Sequence, residues 1–440
     1  DEDKLPVRPA ILWNDARAAG ILAEWQGDGT FERIFAISGN APFPGYTLPV
    51  LAWLRRNEPE TLDRARWLLF TKDWIRFKLT GEIANEETDC SYMPFDIRER
   101  AFSQELFDLA GVADCARLLP PMLGSAEIGG RVTADVAAAT GLPSGVPVVA
   151  GLVDVVASTL GAGASLPGQA CSIVGTSALN SLVSSAPVFQ PEGIGVQATM
   201  PNGHWLRSLV NTSGTLNIEW MLDVLAGVEK AQAADEGRTV FDVIEEMAQG
   251  VPVGSGGVMY HPYVNSAGVV SPFVNPAARA QFFGLSIEHT RAHLFRAVYE
   301  GVALSMLDAY EHMPEECEEI LLSGGGAQSK FWSQMFADAT GRRIRVAGGS
   351  EFGARGAAMV AGVGAGIYKD IDDAARIATT VRTHEPNPDA AARYRELYKL
   401  YVELYRTLGP LWRLRAEILD QASNGIQSEV AHHDQRQSLN

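Results

Sequence analysis

The sequence predicts an α/β protein of two or three domains, with helices covering the faces of a sheet, and three observations carry that expectation. Strand-like runs pass through glycine into helical patterns twice in succession, in EEILLSGGGAQSKFWSQMFADATG and RIRVAGGSEFGARGAAMVAGVGAG. A cluster of β-type segments, VPVVAGL, QACSIVG and ALNSLVS, lies upstream of them. The 440 residues are 46% hydrophobic and 20% charged, which supplies sizeable cores and excludes general disorder.

Taken in order, the first third alternates helical stretches with few strands. The chain begins DEDKLPVRP, without a methionine, and reads as the end of an extended segment, so an upstream segment is expected to be missing. LDRARWLLFTKDWIRFKLTG (62–81) spaces Trp67, Phe70, Trp74 and Phe77 as a helix does and stops at Gly81. The run from Val146 to Ala164 approaches bilayer-spanning length, but Asp154, Pro147 and three glycines interrupt it; a buried strand-turn-helix fits better. QACSIVG meets ALNSLVS through Gly175, Thr176 and Ser177, a hairpin with small residues at its tip. After a loop-rich stretch (252–276), TRAHLFRAVYEGVALSMLDAY repeats Leu294, Val298, Val302 and Met306 every four residues as a long helix. The two strand-helix units follow, and after Gly425 the polar tail reads as disordered.

Charge narrows the partners. Lys and Arg number 36 against 53 Asp and Glu, a net charge of −17 that opposes binding to nucleic acid or anionic membrane. A phosphate-bearing ligand must then be held by backbone amides, a metal or a few basic groups. Cys90, Cys115, Cys171 and Cys317 form no C-x-x-C pair and read as reduced thiols of a cytoplasmic protein; the histidines show no ligand constellation either.

LLSGGGAQSK (321–330) is strand, glycine turn and helix start, a geometry in which a ligand can approach the backbone unobstructed. A tight connection explains it equally, and the usual nucleotide fingerprints are absent. SIVGTSALN (172–180) offers amides and hydroxyls to a phosphate without any lysine, or is a plain β-turn. Asp154 is the sole charged side chain between Asp135 and Glu192, in a run of valine, glycine and alanine. Such a carboxylate is expected to be partly desolvated, hence a better base than a surface one; capping the following helix is the alternative.

AQFFGLSIEHTRAHLFRAVYE (280–300) resembles the second signature of the FGGY carbohydrate kinases: small-x-apolar-x-Gly-apolar, a gap, then His293-Leu294-x-x-Ala297-Val298-Tyr299-Glu300. YTLPVLAWLRRNEPE (46–60) is similar to the first signature, with Val50 where lysine is usual. AILWNDARA (10–18) looks like the sugar-contacting stretch of xylulokinases, and LLSGGGAQSKFWSQMFADATG like the family's adenosine motif. The resemblance spans about residues 5 to 420. It implies the two-lobed actin-like ATPase (ribonuclease H-like) fold. The lobes would be a sugar-binding one at 1–157, incomplete at its N-terminus for want of the family's D-x-G-T opening, and an ATP-binding one at 158–400. A C-terminal helix at 401–423 and a disordered tail at 424–440 complete the expected division.

The same resemblance implies ATP-dependent phosphorylation of a sugar or polyol hydroxyl by in-line transfer, with Asp154 as general base. Trp13 and Asp15, with Arg17 beside them, would contact the sugar; a core tryptophan beside a surface ion pair is the other reading. Gly175 and Thr176 would touch the transferring phosphate. Gly325, Gly326, Ala327 and Gln328 would face the nucleotide, with Ser329 either near the adenosine or capping a helix. Magnesium would arrive with ATP rather than sit in a protein cage, and His293 would pack. Val155 stands where several members carry an amide that bonds the sugar, and PYVNSAGVVSPFVNP lacks the acidic-basic pair of the corresponding family loop. These departures leave xylulose, another ketopentose, erythritol and glycerol as substrates, a non-catalytic sugar- or nucleotide-binding homologue as the alternative, and a homodimer open.

Overall fold

The computed structural model describes residues 1–314 and 317–437, with side chains through Asp420. The first lobe is mainly helical. Its described strands pair only in twos: Asn85–Glu86 with Met122–Leu123, Phe95–Asp96 with Ala101–Phe102, and Ile128–Arg131 with Pro147–Val149. Ile34, Leu48, Leu51 and Phe107 centre its core. The helix expected over 62–81 is shorter: α1 (Thr71–Thr80) ends on Gly81 at φ 77° as the sequence indicates, but 65–70 is not helical. There the Leu68 N–H donates to the Leu118 carbonyl at 2.8 Å, a tertiary partner that replaces the helical one.

Helix α2 (Asp154–Ala162) leads from the first lobe into the second. Its Val156 and Leu160 are fully buried in a second-lobe core with Cys171 and Leu321, so the division expected at 157/158 falls inside one rigid element. The second lobe carries a seven-stranded sheet of β1 (Ala170–Val174), β2 (Ala178–Ser184), β3 (Val196–Thr199), β4 (Trp205–Asn211), β5 (Glu319–Ser323), β6 (Arg343–Ala347) and β7 (Thr380–His384). The order is β7-β6-β5-β1-β2-β4-β3, with β6, β5 and β1 parallel and the remaining pairings antiparallel.

Helix α3 (Arg291–Glu311) buries Val298, Val302 and Met306 as its period predicts, beside α4 (Lys330–Thr340). Helix α5 (Phe352–Gly364) crosses α2 with backbone against backbone. A Cβ on Gly161 would lie 1.9 Å from the Phe352 carbonyl oxygen, and one on Gly356 2.0 Å from that of Ala157. Helix α6 (Pro388–Gln437) starts earlier than the helix expected at 401–423 and buries Tyr394, Tyr401 and Tyr405 against α3 and its neighbours. The tail expected at 424–440 lies beyond the residues whose side chains are described.

Candidate active site

Strands β1 and β5 are adjacent and parallel, with Ile173 opposite Ser323, so the two glycine turns that follow them share one edge of the sheet. Gly175 to Ser177 form the expected hairpin tip, closed by the Gly175 N–H donating to the Ser177 carbonyl at 2.9 Å. The side chains of Thr176 and Ser177 are exposed. Sequence reasoning missed what holds this tip: Gly214 and Thr215 donate their amides to the carbonyls of Thr176 and Gly175, each at 2.7 Å. A Cβ on Gly214 would come within 2.4 Å of the Gly175 oxygen. The run Asn211-Thr-Ser-Gly-Thr215, small residues after a strand, was the available signal.

The second turn presses against the first. Gly324 has φ 89°, and a Cβ there would sit 2.6 Å from the Val174 carbonyl oxygen, so both conformation and space require glycine. Of the residues expected to face a nucleotide, Gly325 and Gln328 are exposed and Ala327 lines the cleft although its own surface is buried. Gly326 is buried, and a Cβ there would meet the Val174 side chain at 2.6 Å, so packing requires its small size. Ser329 caps α4, accepting the Trp332 N–H at 2.9 Å. A cleft of about 220 Å³ opens here between Ser323, Gly325, Gln328, Gly349 and Phe352. The buried Ser323 hydroxyl on its wall has no protein partner, which suits a polar ligand.

Asp154 is the first residue of α2, with Val153 before it as the N-cap. Its Oδ1 accepts the Val155 N–H at 2.8 Å, and a carboxylate in the first turn is favoured by the helix dipole. The expected desolvation is not found: Asp154 is exposed, because Leu152 and Val156 take the buried positions of the turn. Val155 is half-buried and packs against the second-lobe core.

On the first-lobe side, Trp13 is 77% exposed, which rules out a core role. Its carbonyl backs onto Gly45, where a Cβ would come within 1.7 Å of that oxygen. Arg17 grips Asp15 with both arms, Nε to Oδ1 at 2.8 Å and Nη2 to Oδ2 at 2.9 Å. This pairing holds the Asp15 carboxyl down at about 2. The surface ion pair is therefore real, with Arg17 also 4.9 Å above the Trp53 ring. Among the described residues, no hydrogen bond or ion pair joins Trp13, Asp15 or Asp154 to the glycine turns.

Tyr92, which the sequence did not single out, is the one described side chain that packs against both the first-lobe core and the core beneath α2. Burial raises its phenol, and the charges of Asp154 and Asp89 raise it further, so it stands within electrostatic reach of both. His293 accepts the Thr290 N–H at 3.2 Å and caps α3. Among the described residues no cluster of three or more His, Cys, Asp or Glu could hold a metal, and no helix is long and apolar enough to cross a membrane.

Two glycine turns side by side at the ends of parallel strands, the second of them lining a cleft, in a two-lobed α/β chain, fit the actin-like ATPase fold. The chain belongs to the FGGY family of carbohydrate kinases, matching its N-terminal domain over residues 1–161 and its C-terminal domain over 170–365. It is 32% identical to the L-xylulose/3-keto-L-gulonate kinase of Escherichia coli (strain K12), across 93% of this chain and 80% of that protein. The erythritol kinase of Brucella abortus (strain 2308) is likewise 32% identical, with the same coverage of each. The crystal structure of xylulose kinase from Rhodospirillum rubrum superposes with a TM-score of 0.82 at 28% identity, covering 92% of this chain and 81% of that one. Enzymes of this family use ATP with a divalent metal.

Proposed function

We propose that this kinase transfers the γ-phosphoryl group of ATP to a hydroxyl of a ketopentose such as xylulose, with Asp154 taking the hydroxyl proton. The observation that carries this reading is the exposed carboxylate of Asp154 at the start of the helix entering the second lobe, free to meet a substrate hydroxyl. Phosphoryl transfer asks mainly for positioning and charge neutralisation. Gly175 and Thr176 would present amides and a hydroxyl to the transferring phosphate, and Gly325, Ala327 and Gln328 would border the nucleotide. Trp13 would lie along the sugar's carbon face, with Asp15 and Arg17 bonding its hydroxyls. Magnesium would enter with ATP, as a hard cation held mainly by phosphate oxygens and water.

A polyol substrate is the second reading. It is favoured by Val155, which offers no hydrogen bond beside the base, and by an erythritol kinase at the same identity as the L-xylulose enzyme. The test is ADP release with D-xylulose, L-xylulose, erythritol and glycerol. A ketopentose should give the highest kcat/KM; a polyol in first place selects the second reading, and no turnover with any acceptor supports a non-catalytic homologue.

A further inference from the structure

The loop that delivers Asp154 is tied at three successive points to one side of the first lobe. The Lys72 ammonium donates to the Ala150 carbonyl at 3.3 Å. The Gly151 N–H donates to the Ser125 carbonyl at 2.9 Å. The Val153 N–H, immediately before the carboxylate, donates to the Thr88 hydroxyl oxygen at 2.8 Å. These ties lead back to one side chain.

Glu86 is fully buried. Its Oε1 accepts the Ser125 hydroxyl at 2.7 Å and the Thr88 N–H at 2.9 Å. Its Oε2 accepts the Thr88 hydroxyl at 2.7 Å, the Lys72 ammonium at 3.1 Å and the Asp89 N–H at 3.3 Å. Five donors are hydrogen-bonded to this one carboxylate. The consequence at Thr88 is directional: its hydroxyl proton is committed to Glu86, so its lone pair is turned toward Val153. A buried carboxylate with five donors fixes the orientation of all of them, because any rotation strands a polar group away from water.

We infer that Glu86, acting through Thr88, Ser125 and Lys72, positions the Ala150–Val153 loop and so sets where the Asp154 carboxylate stands. The inference rests on the reading of Asp154 as the base. Glu86, Thr88, Ser125 and Lys72 are positioning residues, since none of them needs to touch substrate or nucleotide. A mispositioned base slows proton removal without weakening the hold on sugar or ATP, so the loss should fall on kcat.

The test compares Thr88→Val, which keeps the shape and deletes the hydroxyl, with Thr88→Ser, which restores it, and with Asp154→Asn. All are made in the full-length protein and assayed with the best acceptor among D-xylulose, L-xylulose and erythritol. Thr88→Val should lower kcat at least about tenfold with both KM values within about threefold, and speed hydrogen exchange at the Val153 amide. Thr88→Ser should stay within about threefold of the parent in both readouts. If Thr88→Val does not fold, Ser125→Ala, which removes one hydroxyl and no charge, takes its place with the same expected pattern in smaller measure. Faster Val153 exchange with unchanged kcat, or unchanged exchange, overturns the positioning role. Full activity in Asp154→Asn instead overturns the assignment of the base, and the two failures are thereby told apart.

Discussion

Each lobe buries a glutamate that gathers donors, and the two glutamates are set in opposite electrostatic surroundings. In the second lobe, Glu300 of α3 accepts the Gly254 N–H at 2.9 Å, the Ser255 hydroxyl at 2.7 Å, Arg296 Nε at 2.8 Å and the Tyr394 hydroxyl at 3.0 Å. One carboxylate faces one guanidinium, and the group fastens a loop and α6 to α3. In the first lobe, Glu86 shares its surroundings with Asp73, Asp89, Lys72 and Arg76, three carboxylates against two cations. Asp73 lies 3.3 Å from Arg76 Nη2 and 3.6 Å from Lys72 Nζ without a hydrogen bond to either. Burial pushes the Asp73 carboxyl up to about 6 and that of Asp89 up to about 7, against the pull of Lys72. A balanced pair suits a permanent fastening. An overcharged cluster costs stability, and it sits beside the loop that leads to Asp154.

The largest expected effect tests what the first cluster serves. Asp154→Asn should cut kcat by a factor of about 10² to 10⁴ with the fold intact; near-normal turnover in the folded variant removes both the base and the reason for a cluster behind it. Glu300→Gln should act on stability alone, because it leaves Arg296 buried and unpaired, at a cost of about 3–5 kcal/mol in chemical denaturation. Activity per folded molecule should be unchanged, and a selective loss of kcat would erase the contrast between the lobes.

The pH dependence of stability follows from the raised carboxyl of Asp89. An acid that holds its proton more tightly when folded contributes most below its unfolded value of 3.8, loses that contribution as pH rises through about 7, and is level above. Thermal melts between pH 8 and pH 6 should show this carboxyl contributing about 1 kcal/mol of stability on acidification. Asp89→Asn should flatten this slope, whereas no substitution at Glu300 should touch it. The smallest effect concerns specificity: Val155→Asn should cost the native acceptor about 1 kcal/mol in kcat/KM through a half-buried unpaired amide. Gain of D-xylulose turnover in the same variant would tie that position to the sugar, while a parent enzyme that already prefers D-xylulose would sever it.

What was legible in the sequence was local. The hairpin tip at Gly175 to Ser177 and the strand-glycine-helix unit through Gly324 follow from backbone freedom and period, properties that neighbours in the chain share. The FGGY signatures added the family and its fold. The Glu86 cluster was not readable, because its members come from α1, the 86–89 segment, Ser125 and the 150–153 loop, and only packing brings them together. Asp154 shows the same boundary from the other side. Apolar neighbours in sequence suggested burial, yet alternate positions of a helix start face opposite ways, and Leu152 and Val156 took the inside.

The crossing of α2 with α5 has a mechanical consequence. Where Gly161 meets the Phe352 carbonyl and Gly356 meets that of Ala157, backbone touches backbone, and Arg355 Nε of α5 donates to the Gly161 carbonyl across the seam at 2.5 Å. Such a seam acts as a rivet. Neither helix can turn on the other without breaking that bond, so the helix that starts with Asp154 is held to the one whose Phe352 lines the cleft beside Gly325, and a single added methyl at either glycine would wedge the two apart.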